Sequence, residues 1–217
     1  MTRCAMPTYS VMVFFALLSL TSSLRAQDSL EPCDDLGNDE YLAGVDAMLD
    51  RGVKGNIVAS FTTVPSFTPE SGIRITLDDG VYRAHHVFLL ESLWASSLLP
   101  PDDRSVVRFE LSKKELPRKV ASAEIPAELA DSVISLMQRE VEASRKTELM
   151  GFDGETYYFR PRLSECASTW SPAPGSHASK LVAITNGLGG IAHSTPGEQR
   201  EQSIAAVKQL TSALSAK

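Results

Sequence analysis

The stretch from Gly72 to Glu91 constrains this chain more than any other. Ile73, Ile75 and Leu77 alternate with Arg74, Thr76 and Asp78, and the alternation resumes after Asp79-Gly80 with Val81, Arg83, His85 and Val87. A period of two is the spacing of a strand with two unlike faces. Asp-Gly between two such runs is the pair that a two-residue hairpin turn requires, because both central residues must adopt positive φ. The loop therefore predicts a register in which Leu77 faces Tyr82, Ile75 faces Ala84 and Ile73 faces His86 on one side. Asp78, Thr76 and Arg74 face Val81, Arg83 and His85 on the other. An antiparallel sheet follows from this segment alone.

The remaining elements fit around that hairpin. Asn56 to Phe67 is rich in Val, Thr and Phe and reads as a further strand, as does Ser105 to Leu111. The basic run Lys113, Lys114, Arg118, Lys119 reads as that strand's exposed exit. Tyr41, Leu42, Val45, Met48 and Leu49 recur at helical spacing, with Asp39 placed to cap the first turn and Gly52 to end the last. Pro126 to Arg145 is the strongest helix, with an apolar face of Leu129, Val133, Leu136, Met137 and Val141. Asp153-Gly154 is a second turn signal, leading into the aromatic strand Tyr157, Tyr158, Phe159, which reads as sheet core. Ser176 caps a helix expected to stop at Gly189-Gly190, and Thr195, Pro196 and Glu198 form a capping box for a last helix carrying Ile204, Val207, Leu210 and Leu214. The order predicts one α+β domain over residues 27–217: an antiparallel sheet of about four to six strands with helices packed on one face, residues 27–38 forming an acidic lead-in.

Val11 to Leu20 is apolar apart from Ser19 and is preceded by Arg3 without any acid. This reads as a signal peptide cleaved after Ala26, since the run is about half the roughly 20 residues that a spanning helix needs. Removing it takes Arg3 and Arg25 and no acid, leaving 191 residues with 19 basic and 27 acidic side chains, a net charge of −8. Such a balance disfavours nucleic acid and other anionic partners. Cys33 and Cys166 are the cysteines that remain, and in an oxidising compartment they are expected to pair. Neither Cys4 nor Cys33 follows a lipobox, so no stable membrane anchor is expected, and no Asn-x-Ser/Thr acceptor occurs. Export to a periplasm or to the outside of the cell is the expected localisation.

Motifs for chemistry fail on context. Gly187-Leu188-Gly189-Gly190-Ile191-Ala192 has the spelling of a dinucleotide-binding turn, but only 25 residues follow it and Glu201 stands nine positions on, where an acid about twenty on is required. His85 and His86 are neighbours on a strand and point to opposite faces, while His177 and His193 are isolated in sequence. There is no G-x-S-x-G, H-E-x-x-H or C-x-x-C, and the adjacent acids Asp78-Asp79 and Asp102-Asp103 sit where turns form. No catalytic, cofactor-binding or metal-ligating residue is assigned. The expectation is an exported non-enzymatic protein that binds another macromolecule in the envelope or outside the cell, as an inhibitor, immunity-like or envelope-associated factor. Its contact residues are placed at Trp170, at the start of the turn-rich loop 170–176, and at the hairpin end with Asp78, Arg83 and His85. The alternative is a secreted hydrolase drawing on His85, His177, Asp78 or Asp153.

Overall fold

A computed structural model describes residues 28–33, 40–99, 108–146, 153–162 and 165–216. The expected signal peptide, the cap expected at Asp39, the pair Asp102-Asp103 and the first residues of the strand expected from Ser105 lie outside them. In chain order the elements are β1 (Glu31–Pro32), α1 (Glu40–Asp50), β2 (Asn56–Pro65), β3 (Ser71–Asp78), β4 (Val81–Leu89), α2 (Leu93–Ser97), β5 (Leu98–Leu99), β6 (Arg108–Phe109), β7 (Arg118–Ile125), α3 (Ala127–Glu142), β8 (Glu155–Arg162), β9 (Glu165–Trp170), α4 (His177–His193) and α5 (Glu198–Ser215).

Seven of the strands form one sheet in the order β1-β9-β8-β2-β3-β4-β7, antiparallel at every pairing. The α+β class stands, but the sheet is wider than the four to six strands expected. The hairpin register is the predicted one, with Leu77 opposite Tyr82, Ile73 opposite His86 and Arg74 opposite His85. Asp79 and Gly80 have φ of 48° and 79°, the positive pair that a type I′ turn demands. The extra width comes from β7, β9 and the two-residue β1. Of the run read as an exposed basic exit, Lys113, Lys114 and Lys119 are exposed, but Arg118 and Lys119 open β7, which pairs with β4 from Tyr82 to Leu89 and turns Ala123 and Ile125 inward. Ser105 to Leu111, expected as a strand, contributes only the two-residue β6 among the described residues.

Helices lie on both faces, not on one. Ala59, Phe61, Ile73, Ile75 and Phe159 face α3 and α4, with α5 packed behind, and form the larger apolar core. On the opposite face, Val45, Met48 and Leu49 of α1 meet Val87 and Leu89 of β4 together with Leu93 and Leu116. Beside that small cluster the face is polar. Arg74 is fully buried there, its Nε 2.5 Å from Asp50 Oδ1 and a terminal nitrogen 3.0 Å from Asp46 Oδ1. Thr62 donates to Asp46 Oδ1 at 2.7 Å, and Arg160 pairs with the other oxygen of the same carboxylate. Asp46 and Asp50 stand one helical turn apart, so both reach the sheet from one side of α1. Gly72 makes the room: a Cβ there would sit 2.6 Å from the Phe61 carbonyl and 2.7 Å from the Arg74 guanidinium.

Two helix ends differ from expectation. α4 begins at the predicted cap, Ser176 accepting from the Ser179 amide at 3.1 Å, but it runs through Gly189-Gly190 to His193. Those glycines serve packing, since a Cβ on Gly187 would lie 2.5 Å from Val207 of α5 and one on Gly189 3.3 Å from Ile73. α5 is capped by Gly197 at φ 118°, with no side-chain cap from Thr195. Cys33 and Cys166 are joined where β1 meets β9, their Cα atoms 5.4 Å apart and 133 positions apart in sequence.

Candidate functional site

The residues singled out in the sequence fall into separate concavities. At one end of the sheet, Tyr41 from the start of α1, Trp94 from α2, Phe67 from the β2–β3 connection and Trp170 at the end of β9 surround an open cleft of about 390 Å³. Pro65, Ser66, Asp153 and Thr156 complete its wall. Phe67 is 82% exposed and Trp94 48%, both high for large apolar side chains.

A buried carboxylate holds this cleft in shape. Glu70 is fully buried just before β3 and accepts from the backbone amides of Leu93 at 2.9 Å and Trp94 at 3.1 Å, and from the Ser92 hydroxyl at 3.2 Å. The Tyr41 hydroxyl donates to the same group at 2.5 Å. One side chain thus ties the first turn of α1 to the first turn of α2, and the Tyr41 and Trp94 rings meet edge to face with centroids 5.5 Å apart. Across the cleft, Gly154 lies directly under Ser171, where a Cβ would come within 2.1 Å of the hydroxyl. Ser171 in turn bonds the β8 backbone, donating from its amide to the Glu155 carbonyl at 2.9 Å and accepting from the Glu155 amide at 3.1 Å. The aromatic rings are therefore presented on ordered backbone.

A second cavity of about 290 Å³ opens between α4 and the β2, β3 and β8 strands, lined by Thr63, Ser71, Tyr157 and Asn186 among others. At its rim His86 Nδ1 lies 3.0 Å from His193 Nε2, the rings perpendicular. Burial, and to a lesser degree the neighbouring His193, lower the pKa of His86 and favour its neutral form. Burial and then the bond to Glu155 raise the Tyr157 phenol above its usual range. His193, isolated in the sequence, reaches His86 only because α4 continues beyond its glycines.

Asp78, Arg83 and His85 share a third hollow at the hairpin end, of about 360 Å³, with Lys54 and Ser122. His85 is buried and its Nε2 lies 2.9 Å from the Thr76 hydroxyl; burial first, then Arg83, lowers its pKa. Arg83 pairs with Glu124 across to β7 at 2.5 Å. His177 pairs with Glu140 at 2.9 Å elsewhere, and Asp153 lines the aromatic cleft. Trp170 is thus apart from the other three expected contact residues, and the four residues of the hydrolase reading are spread over three places. Tyr41, Phe67 and Trp94 were missed because their periodicity matches core positions or none; the signal available was their aromatic character beside turn residues. Among the described residues, no three His, Cys, Asp or Glu side chains converge as a metal ligand set. No protein-family model matches the chain, and neither the curated proteins nor the solved structures contain a match.

Proposed function

We propose that this chain is an exported binding protein that docks another macromolecule in its aromatic cleft, the occupant being an apolar, cationic segment of a partner protein. The observation that carries the reading is the convergence of Tyr41, Phe67, Trp94 and Trp170 on one open hollow, with Phe67 and Trp94 turned to solvent. Exposed aromatic side chains that are rigidly presented are the groups most often found at the energetic centre of an interface. Glu70 fixes the Tyr41 hydroxyl and the Trp94 backbone, so that part of the cleft is preorganised for an occupant. A cationic occupant fits because Asp153 stands in the wall, aromatic faces attract cations, and the chain without its leader carries 27 acids against 19 bases. The disulfide between Cys33 and Cys166 accords with an oxidising compartment, and no helix among the described residues is long and apolar enough to cross a membrane.

The test is paired affinity capture from an envelope extract, using the leader-free protein and the Phe67→Ser/Trp94→Ser double variant. A partner retained by the first and lost from the second supports docking at this cleft. Equal capture by both, or no partner alongside hydrolytic turnover that disappears in His85→Ala, overturns it.

A further inference from the structure

The cavity beneath α4 carries a different chemistry from the aromatic cleft and does not depend on it. We infer that His86 and His193 form a two-nitrogen site for a divalent late transition-metal ion, copper(II) ahead of nickel(II) and zinc(II). The first support is geometric. His86 Nδ1 and His193 Nε2 are 3.0 Å apart, so a swing of both rings off the line that joins them would turn the two lone pairs onto one ion, where metal–nitrogen bonds of about 2.0–2.1 Å would subtend roughly 95°. That is the cis angle of a tetragonal or octahedral site and narrower than the tetrahedral angle, so copper(II) is favoured by shape as well as by its intrinsic affinity order.

The second support is how the chain assembles the pair. β4 holds His86 on the face covered by α4, and α4 approaches closely enough because residue 189 is glycine; a Cβ there would lie 3.3 Å from His86 Nδ1. At Gly190 a Cβ would meet nothing within 4 Å, which leaves open space next to the pair. His193 is the last residue of α4 and is exposed, so an ion has a direct path from solvent. The cavity beyond presents Ser71, Thr63 and Asn186, neutral oxygen groups that suit water or an anionic co-ligand on the ion's remaining positions.

Without metal, one imidazole N–H points at the other ring's lone pair. Ion binding requires no net loss of a proton from a neutral pair. The proton on the shared nitrogen moves by exchange with water to the other nitrogen of the same ring, and the freed lone pair joins its neighbour on the metal.

The experiment uses the leader-free chain with its disulfide intact, titrated calorimetrically with copper(II) in glycine competitor buffer and examined by electron paramagnetic resonance. One ion per chain is expected, with nitrogen hyperfine structure from two imidazoles. His193→Gln, an exposed substitution at a helix end, should weaken binding at least tenfold and remove one nitrogen from the spectrum. His86→Gln should do the same if its thermal melt shows that it folds, while His177→Gln leaves both readouts unchanged. Zinc(II) should bind more weakly than copper(II) at the same site. Equal affinity in wild type and His193→Gln, or a spectrum without two imidazole nitrogens, would show that the pair is a structural hydrogen bond only and overturn the assignment.

Discussion

The two faces of the sheet are closed by different physics. Under α3 and α4 the contact is hydrocarbon, with Phe159, Leu136 and Ile184 almost wholly buried and interchangeable in principle with other side chains of like volume. Under α1 a small apolar cluster of Val45, Met48, Leu49, Val87 and Leu89 stands beside a charge network in which Arg74 needs Asp46, Asp50 and Thr62 at particular positions. Apolar packing resists separation but specifies position weakly, whereas a buried guanidinium tolerates few placements of its partners. The difference bears on function, because α1 carries Tyr41 into the aromatic cleft. Beside its apolar contacts, the charge network fixes the placement of α1, and hence of one wall of the cleft.

Truncation on each face breaks the comparison most strongly. Phe159→Ala is expected to cost about 3–5 kcal/mol in denaturant unfolding. Arg74→Ala leaves Asp46 and Asp50 without their shared cation and should cost about 3 kcal/mol, near the low end for breaking a buried pair because the Asp50 side chain is 46% exposed. The two differ in a second readout. Arg74→Ala should also change the Trp94 emission, through the loosened α1, while Phe159→Ala leaves the emission of the folded protein unchanged. Identical spectral behaviour would mean that the polar face has no special positioning role.

The disulfide belongs to neither face. Replacing Cys33 and Cys166 by Ser is expected to lower stability by roughly 2–5 kcal/mol, a loop of 133 residues lying at the upper end of the chain-entropy argument. Both faces should still melt in one transition, and two separate transitions would show that the apolar clusters on the two faces unfold independently. Glycines on α4 sharpen the description of the apolar face. Gly187→Ala should destabilise by about 1–3 kcal/mol because its Cβ collides with stiff, buried Val207. Gly190→Ala meets nothing and should stabilise by roughly 0.5–1 kcal/mol through helix propensity, as thermal melts of the two variants would show.

The smallest effect is that of acid. His85 on the polar face and His86 on the other both have pKa values lowered by burial, so between those values and the unfolded value of about 6.5 the unfolded chain binds more protons. The contribution of each is complete above pH 6.5 or so and is lost as pH falls below it. His85→Gln should flatten the dependence of the melting temperature on pH over that range; an unchanged slope would place the sensitivity on the opposite face.

Local features were legible in the sequence and long-range ones were not. The hairpin register follows from a two-residue turn and strict alternation, both contained within Gly72 to Leu89, and the apolar face of α3 follows from spacing alone. β7 was hidden because Lys, Ala, Ser and Glu are weak strand formers, and it is a strand because β4 offers an open edge. The continuation of α4 was hidden because paired glycines signal a stop. Burial of Ile191 and Ala192 on the last turn offsets their cost, and with that turn comes the contact between His193 and His86. Of the cleft, Trp170 alone was expected as a contact residue from the sequence; its neighbours Tyr41, Phe67 and Trp94 arrive from three other places that only the fold brings together.

Trp94 and Trp170 are the only tryptophans in the chain and both line the aromatic cleft, so intrinsic fluorescence reports on that hollow directly. Titrating residues 27–217 with a short basic, leucine-containing peptide, and with the same peptide carrying glutamate for each basic residue, tests the proposed occupant. The account predicts a saturable spectral change with the basic peptide, abolished in Phe67→Ser and absent with the acidic one. No change with either peptide, or an equal change with both, would contradict it.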